Sequence, residues 1–189
     1  MPLDLVFCLY VPRQIKPKPL DAKGLLDYAL RALSARALTQ GELRARLARR
    51  AADPADIDTT IARLKEYGYL NDRRFAETYT RLRLENQGLG RYRVLRDLKT
   101  RRVAPALAEK VVADAYRAVD EDALIDQYLH RKFRRQKPTD LTPNRLASLY
   151  RTLVRAGFPS GKIMKALRKL SLPDDWVESL EAAEPPSDS

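Results

Sequence analysis

One cysteine and one histidine in 189 residues leave no internal disulfide and no four-ligand zinc site. Seven glycines leave little room for a glycine-rich phosphate loop. The nearest match is Gly157-Phe158-Pro159-Ser160-Gly161-Lys162-Ile163. It has three residues between its glycines where a P-loop has four, and Ile163 stands where a magnesium-binding hydroxyl belongs. Pro159 also removes a backbone donor. The segment reads as a turn between helices. His130 sits beside Arg131 as a solvated side chain, and Cys8 has no basic partner to activate it. Asp120-Glu121-Asp122 falls at a helix start, where carboxylates complement the dipole. The sequence therefore offers no catalytic residue, no metal site and no cofactor.

Long hydrophobic runs are missing too. No stretch approaches the roughly 20 apolar residues that span a bilayer. Leu5-Val6-Phe7-Cys8-Leu9-Tyr10-Val11 is short, follows Asp4 and lacks a small-residue cleavage site. No membrane association is expected, and the cytoplasm is the expected compartment. Residues 12–20 hold three prolines and read as an extended linker. Of an edge strand, a partner-binding arm and a poorly ordered extension, the last is the preferred reading of the segment before it.

What the chain does have is positive charge: 36 Lys and Arg against 25 Asp and Glu, a net +11. The distribution is uneven. Residues 131–170 carry twelve bases and one acid, whereas 171–189 carry six acids and no base. Arg91, Arg93, Arg96, Lys99, Arg101 and Arg102 form a further basic helix. Such helices fit phosphate binding with counterion release, which positions a protein without reading base sequence. Arg91, Arg93, Arg96, Arg131, Arg134, Arg135, Arg151 and Arg155 are the candidate contacts to phosphate or an acidic partner. The acidic tail is read as a competitor with the anion for this face.

From Asp21 onward the apolar spacing is helical, so the chain is expected to be all-α. Leu26, Ala29, Leu30 and Leu33 make the first stripe, and Thr39-Gln40-Gly41-Glu42 is a capping box before Leu43 and Leu47. Asp53-Pro54 starts a third helix bearing Ile57, Ile61 and Leu64. The pattern recurs. Phe75, Tyr79 and Leu82, then Tyr92, Leu95 and Leu98, then Leu107 and Val111 form a second unit. Leu124 and Tyr128, then Leu146, Leu149 and Leu153, then Ile163, Leu167 and Leu170 form a third. Ala52, Val103 and Phe158 each lie five residues after a core leucine, with a proline just behind. These spacings predict three tandem three-helix, helix-turn-helix-like repeats stacked as an elongated curved solenoid. The expected divisions are 1–20 (extension and linker), 21–70, 71–118 and 119–171 (the repeats), and 172–189 (the acidic tail). No coiled-coil seam is evident, and a monomer is expected.

Leu64-Lys65-Glu66-Tyr67-Gly68-Tyr69-Leu70-Asn71-Asp72-Arg73-Arg74-Phe75-Ala76-Glu77 resembles the signature linking the first two repeats of RecX proteins, bacterial regulators of the RecA recombinase. Leu38-Thr39-Gln40-Gly41-Glu42-Leu43 upstream and Gly90, Arg96, Leu98 and Val103 downstream resemble the family in order and spacing. The third unit departs from it at Gln136-Lys137-Pro138-Thr139-Asp140, and Asn71 stands where the family often has aspartate. The resemblance implies a non-enzymatic protein that binds RecA filaments and inhibits recombinase, ATPase and co-protease activities, modulating DNA repair and the SOS response. It also implies binding to single- or double-stranded DNA without strong sequence specificity. The residues alone leave open a helical DNA-binding protein without a recombinase partner. In the signature itself, Gly68 is expected to stop a helix, Tyr69 and Leu70 to staple the junction, Asp72 to cap and Phe75 to pack.

Overall fold

Local chemistry sets most helix starts. The Asp21 carboxylate accepts from Gly24 N, Thr39 and Glu42 form a full capping box, and Thr142 accepts from Arg145 N. Asp53 accepts from Ala55 N at 2.9 Å, and Pro105 and Pro143 occupy first turns where no N–H is missed. In the computed structural model, which describes residues 18–132 and 142–169, these signals frame a helical repeat fold. The first repeat contains α1 (Ala22–Ala35), α2 (Gln40–Leu47) and α3 (Ala55–Glu66). The second contains α4 (Asp72–Leu82), which runs into a π-helical turn (Arg83–Gln87), then α5 (Arg91–Thr100) and α6 (Pro105–Tyr116). The third contains α7 (Glu121–Lys132), α8 (Pro143–Ala156) and α9 (Ser160–Arg168). Among the described residues the only β pairing is one isolated bridge, Leu20 to Ala51. No helix there is long and apolar enough to cross a membrane.

The first repeat has its own core, in which Leu25, Leu43, Leu47 and Leu64 are fully buried. The second and third repeats share one core: Val94 and Leu98 pack in the same cluster as Leu146, Leu153, Ile163 and Leu167. Each such side chain contributes about 1.5–3 kcal/mol by leaving water.

The expected stripes hold for α2, α3, α8 and the described part of α9, but α1 and α4 turn a different face inward. Leu25, Ala29 and Ala32 are buried in α1, whereas Leu26 and Leu33 are half-exposed and Leu30 is exposed. In α4, Ala76 and Thr80 are buried, while Phe75 and Tyr79 are half-buried and Leu82 is 46% exposed. Both helices carry two adjacent faces, and apart from Leu25 the smaller side chains take the core because they permit closer helix approach. On α5, Val94 joins Leu98 inside, and Tyr92 is exposed.

Gly68 ends α3 with φ +73°, as the signature predicts, and Leu70 is buried. Tyr69, however, is 62% exposed and lies outside the core. Asp72 does not cap its own helix. Asn71 does so, accepting from Arg74 N at 2.9 Å, while Asp72 accepts from Gln40 N at 2.7 Å and thus caps α2.

The middle helices of successive repeats meet end to end. At the C-terminus of α8, Ala156 O and Gly157 O accept from Gly90 N (2.8 Å) and Tyr92 N (3.1 Å) at the start of α5. At the C-terminus of α5, Arg101 O accepts from the Thr39 hydroxyl at the start of α2. Each contact satisfies backbone groups that a helix end leaves open and aligns opposite dipole ends. Both need glycine. A β-carbon on Gly41 would lie 2.5 Å from the Arg102 β-carbon, and one on Gly90 would overlap the Gly157 carbonyl. Just past each helix end the backbone turns left-handed, with φ +60° at Arg102 and +88° at Gly157.

Residues 1–17 and the acidic tail lie outside the described residues. So do Arg134, Arg135, the 136–140 segment and Leu170.

Candidate polyanion-binding surface

Four basic side chains near the junctions hold the protein together. Arg101 is the hub between the first two repeats: its Nε lies 2.8 Å from Glu42, its Nη2 donates to Ala37 O at 3.3 Å, and its guanidinium sits 5.1 Å from the Phe75 ring centroid. Arg131 donates to Asn86 O (3.3 Å) and Gln87 O (2.9 Å), clamping α7 onto the carbonyls that end the π-helical turn. Arg91 approaches Glu121 at 3.4 Å, linking α5 to α7. Arg93 pairs with Asp97 at 2.9 Å, and Asp97 also accepts from the Tyr79 hydroxyl at 3.2 Å.

Other cations are free to meet an anion. Arg96 on α5 and Arg151 and Arg155 on α8 are exposed and form no ion pair among the described residues. Arg155 makes only a 3.4 Å contact with Thr152. Thus, of the eight sequence candidates, Arg96, Arg151 and Arg155 present open guanidinium groups, and Arg91, Arg93 and Arg131 are held by neighbours. Arg134 and Arg135 are outside the described residues.

The charge of the third repeat is also partly cancelled across helices. Asp122 on α7 contacts Lys162 at 3.0 Å and Lys165 at 2.7 Å on α9, and Asp126 lies 3.8 Å from Lys169. Hydrogen bonds from Lys165 and Lys162 hold the Asp122 carboxyl down at about 2, against an ordinary 3.8. Because the folded value is the lower one, this contribution to stability is complete above about pH 4 and is lost as pH falls towards 2. Counting bases along the chain misses this pairing, since the carboxylates precede the lysines by 40 residues or more. The Asp120-Glu121-Asp122 run therefore does more than complement a dipole: Asp120 caps α7 through Asp122 N and Ala123 N, and the other two reach adjacent helices.

Among the described residues no group of three or more His, Cys, Asp or Glu is placed to hold a metal. Tyr116 is held protonated by burial and donates to Leu89 O at 2.6 Å, a structural bond within the shared core.

Comparison with known proteins agrees with the repeat architecture. Family models described as the first and second three-helix domains of RecX match residues 26–64 and 71–112. Regulatory protein RecX of Deinococcus radiodurans is 32% identical over 169 residues, spanning 88% of this chain and 79% of that protein. The RecX of Thermus thermophilus is 32% identical over 143 residues, or 76% and 89% of the two chains. The crystal structure of RecX from Lactobacillus salivarius superposes with a TM-score of 0.62 at 20% identity, covering 80% of this chain and 97% of that one. With both three-helix domains matched in order and a relative matched over most of its length, the chain belongs to the RecX family of regulatory proteins.

Proposed function

We propose that this protein binds RecA and RecA–DNA filaments and inhibits their recombinase, ATPase and co-protease activities, modulating DNA repair and the SOS response. The observation that carries the reading is the match to regulatory protein RecX of Deinococcus radiodurans over 79% of that protein's length. Its physical support is the exposed Arg96, Arg151 and Arg155 on two repeats that share one core, suited to phosphates without base readout. The protein acts as a cytoplasmic monomer in this proposal, with no cofactor. RecA hydrolysis of ATP on single-stranded DNA, with this protein titrated in, tests it. Inhibition is expected at amounts too small to coat the DNA. Loss of ATPase only in proportion to DNA coverage would instead support a DNA-binding protein without a recombinase partner.

The Asp122 pairs make a second test. Asp122→Asn removes the carboxylate charge that holds Lys162 and Lys165. With two more cations available, affinity for a single-stranded oligonucleotide is expected to rise several-fold at low salt. The slope of log affinity against log salt should steepen by up to about 1.4, at about 0.7 per added phosphate contact on single strands. Fluorescence anisotropy across a salt series measures both. An unchanged slope would place the nucleic-acid path away from α9.

A further inference from the structure

The bulky faces that α1 and α4 keep out of the core meet across the first repeat junction. Leu30, Leu33, Tyr69, Phe75, Tyr79 and Leu82 line a groove of about 910 Å³, with Arg31 and Arg74 on its rim and no Asp or Glu in its lining. A second hollow bounded by Leu26, Leu30, Tyr67 and Tyr69 shares two of these residues and prolongs the groove towards the start of α1. Tyr67 and Tyr69 are 66% and 62% exposed, and Leu82 is 46% exposed. Large apolar side chains gathered in one groove mark a docking surface rather than scattered surface hydrophobics.

We infer that residues 3–11 of this same chain dock in the groove. Eight of those nine residues are apolar, and Asp4 is the one charge among them. The described chain begins at Lys18, and Leu20 is held against Arg50 and Ala52 at the N-terminal end of α1. On α1 the groove lining begins at Leu26, about 6 Å from the helix start, and continues to Ser34, about 12 Å further. The intervening Pro12–Pro17 stretch spans about 19 Å when extended in the manner of proline-rich linkers. The tether can therefore return an apolar segment along α1, and a short tether holds it at roughly millimolar effective concentration. The acidic tail is a weaker occupant. It follows α9, which packs against α7 and α8 in the third repeat and contributes no residue to the groove.

The single cysteine provides the test, because Cys8 lies inside the docking segment. In the full chain, Ser34→Cys and Thr78→Cys place a thiol on each wall of the groove, and Ser148→Cys on α8 is the control. After mild thiol oxidation at low micromolar protein, peptide mass spectrometry is expected to find the intramolecular disulfide to Cys8 at one or both wall positions, at least ten-fold above the control. Phe7→Asp with Leu9→Asp should abolish that preference while circular dichroism stays unchanged. Equal yields at wall and control positions would overturn the proposal. Cross-linked dimers that increase with concentration would overturn it in favour of a second copy as occupant. As an independent reading, deleting residues 1–17 should speed amide exchange over residues 67–82 at least several-fold, whereas deleting 172–189 should not. The reverse pattern would assign the groove to the acidic tail.

Discussion

Gly157→Ala is expected to lower the free energy of unfolding by about 3 kcal/mol. Two costs combine. The residue has φ +88°, and a side chain in the left-handed region costs about 1–2 kcal/mol. The new methyl would also collide with the Arg93 backbone at the start of α5, and overpacking typically costs about 1–3 kcal/mol. Relief requires α8 to move away from α5, which would break the bonds from Gly90 N to Ala156 O and from Tyr92 N to Gly157 O. Urea unfolding followed by far-ultraviolet circular dichroism measures the loss. Gly161→Ala is the matched control, since a β-carbon there meets nothing within 4 Å, and its effect should stay within about 0.5 kcal/mol. A Gly157→Ala protein as stable as the control would mean that the end-to-end contact contributes little to the union of the two repeats.

The same contact explains where reading the sequence succeeds and where it stops. The capping box at Thr39 and Glu42 is legible because donor and acceptor lie three residues apart. The start of α5 has no capping side chain at Gly90, and its partner carbonyl, Ala156, lies 66 residues downstream. Glycine there looks like a simple helix break until the neighbouring repeat is present. Asp72 is similar: it sits beside a helix start, so local rules assign it to α4, yet its acceptor role is played 32 residues away at Gln40. Helical periodicity finds α1 and α4 but cannot choose between two apolar faces on one helix. The choice depends on how closely a neighbour can approach, a property of the pair. Apart from Leu25, small residues win the core, and the larger ones form the groove.

Charge follows the same division. The number of bases in the third repeat is visible in the sequence, but their availability is not. Lys162 and Lys165 meet Asp122 only because α9 packs on α7, and Arg131 spends its guanidinium on two backbone carbonyls of the second repeat. Nothing in the composition separates these from Arg151. A short ion pair within one helix, such as Arg93 with Asp97 at i and i+4, is within reach of sequence spacing and marks a candidate already half satisfied.

Combining Arg96→Glu, Arg151→Glu and Arg155→Glu is expected to reduce affinity for single-stranded DNA by about 100-fold at low salt. The basis is counterion release: three lost phosphate contacts should lower the log–log salt slope by about 2, at about 0.7 each, and the new carboxylates add repulsion. The fold should survive, because the three side chains are exposed and support no ion pair among the described residues. Arg131→Glu provides the contrast. It would leave Asn86 O and Gln87 O without their donor and put a negative group against carbonyls, so it should destabilise the protein by about 1–3 kcal/mol. Anisotropy titrations across a salt series, paired with urea unfolding of each variant, separate the two kinds of arginine. A triple variant that unfolds, or that binds DNA with the original salt slope, would remove Arg96, Arg151 and Arg155 from the proposed phosphate path. Weak binding with an intact fold would instead assign these open arginines to the phosphate path of the proposed function.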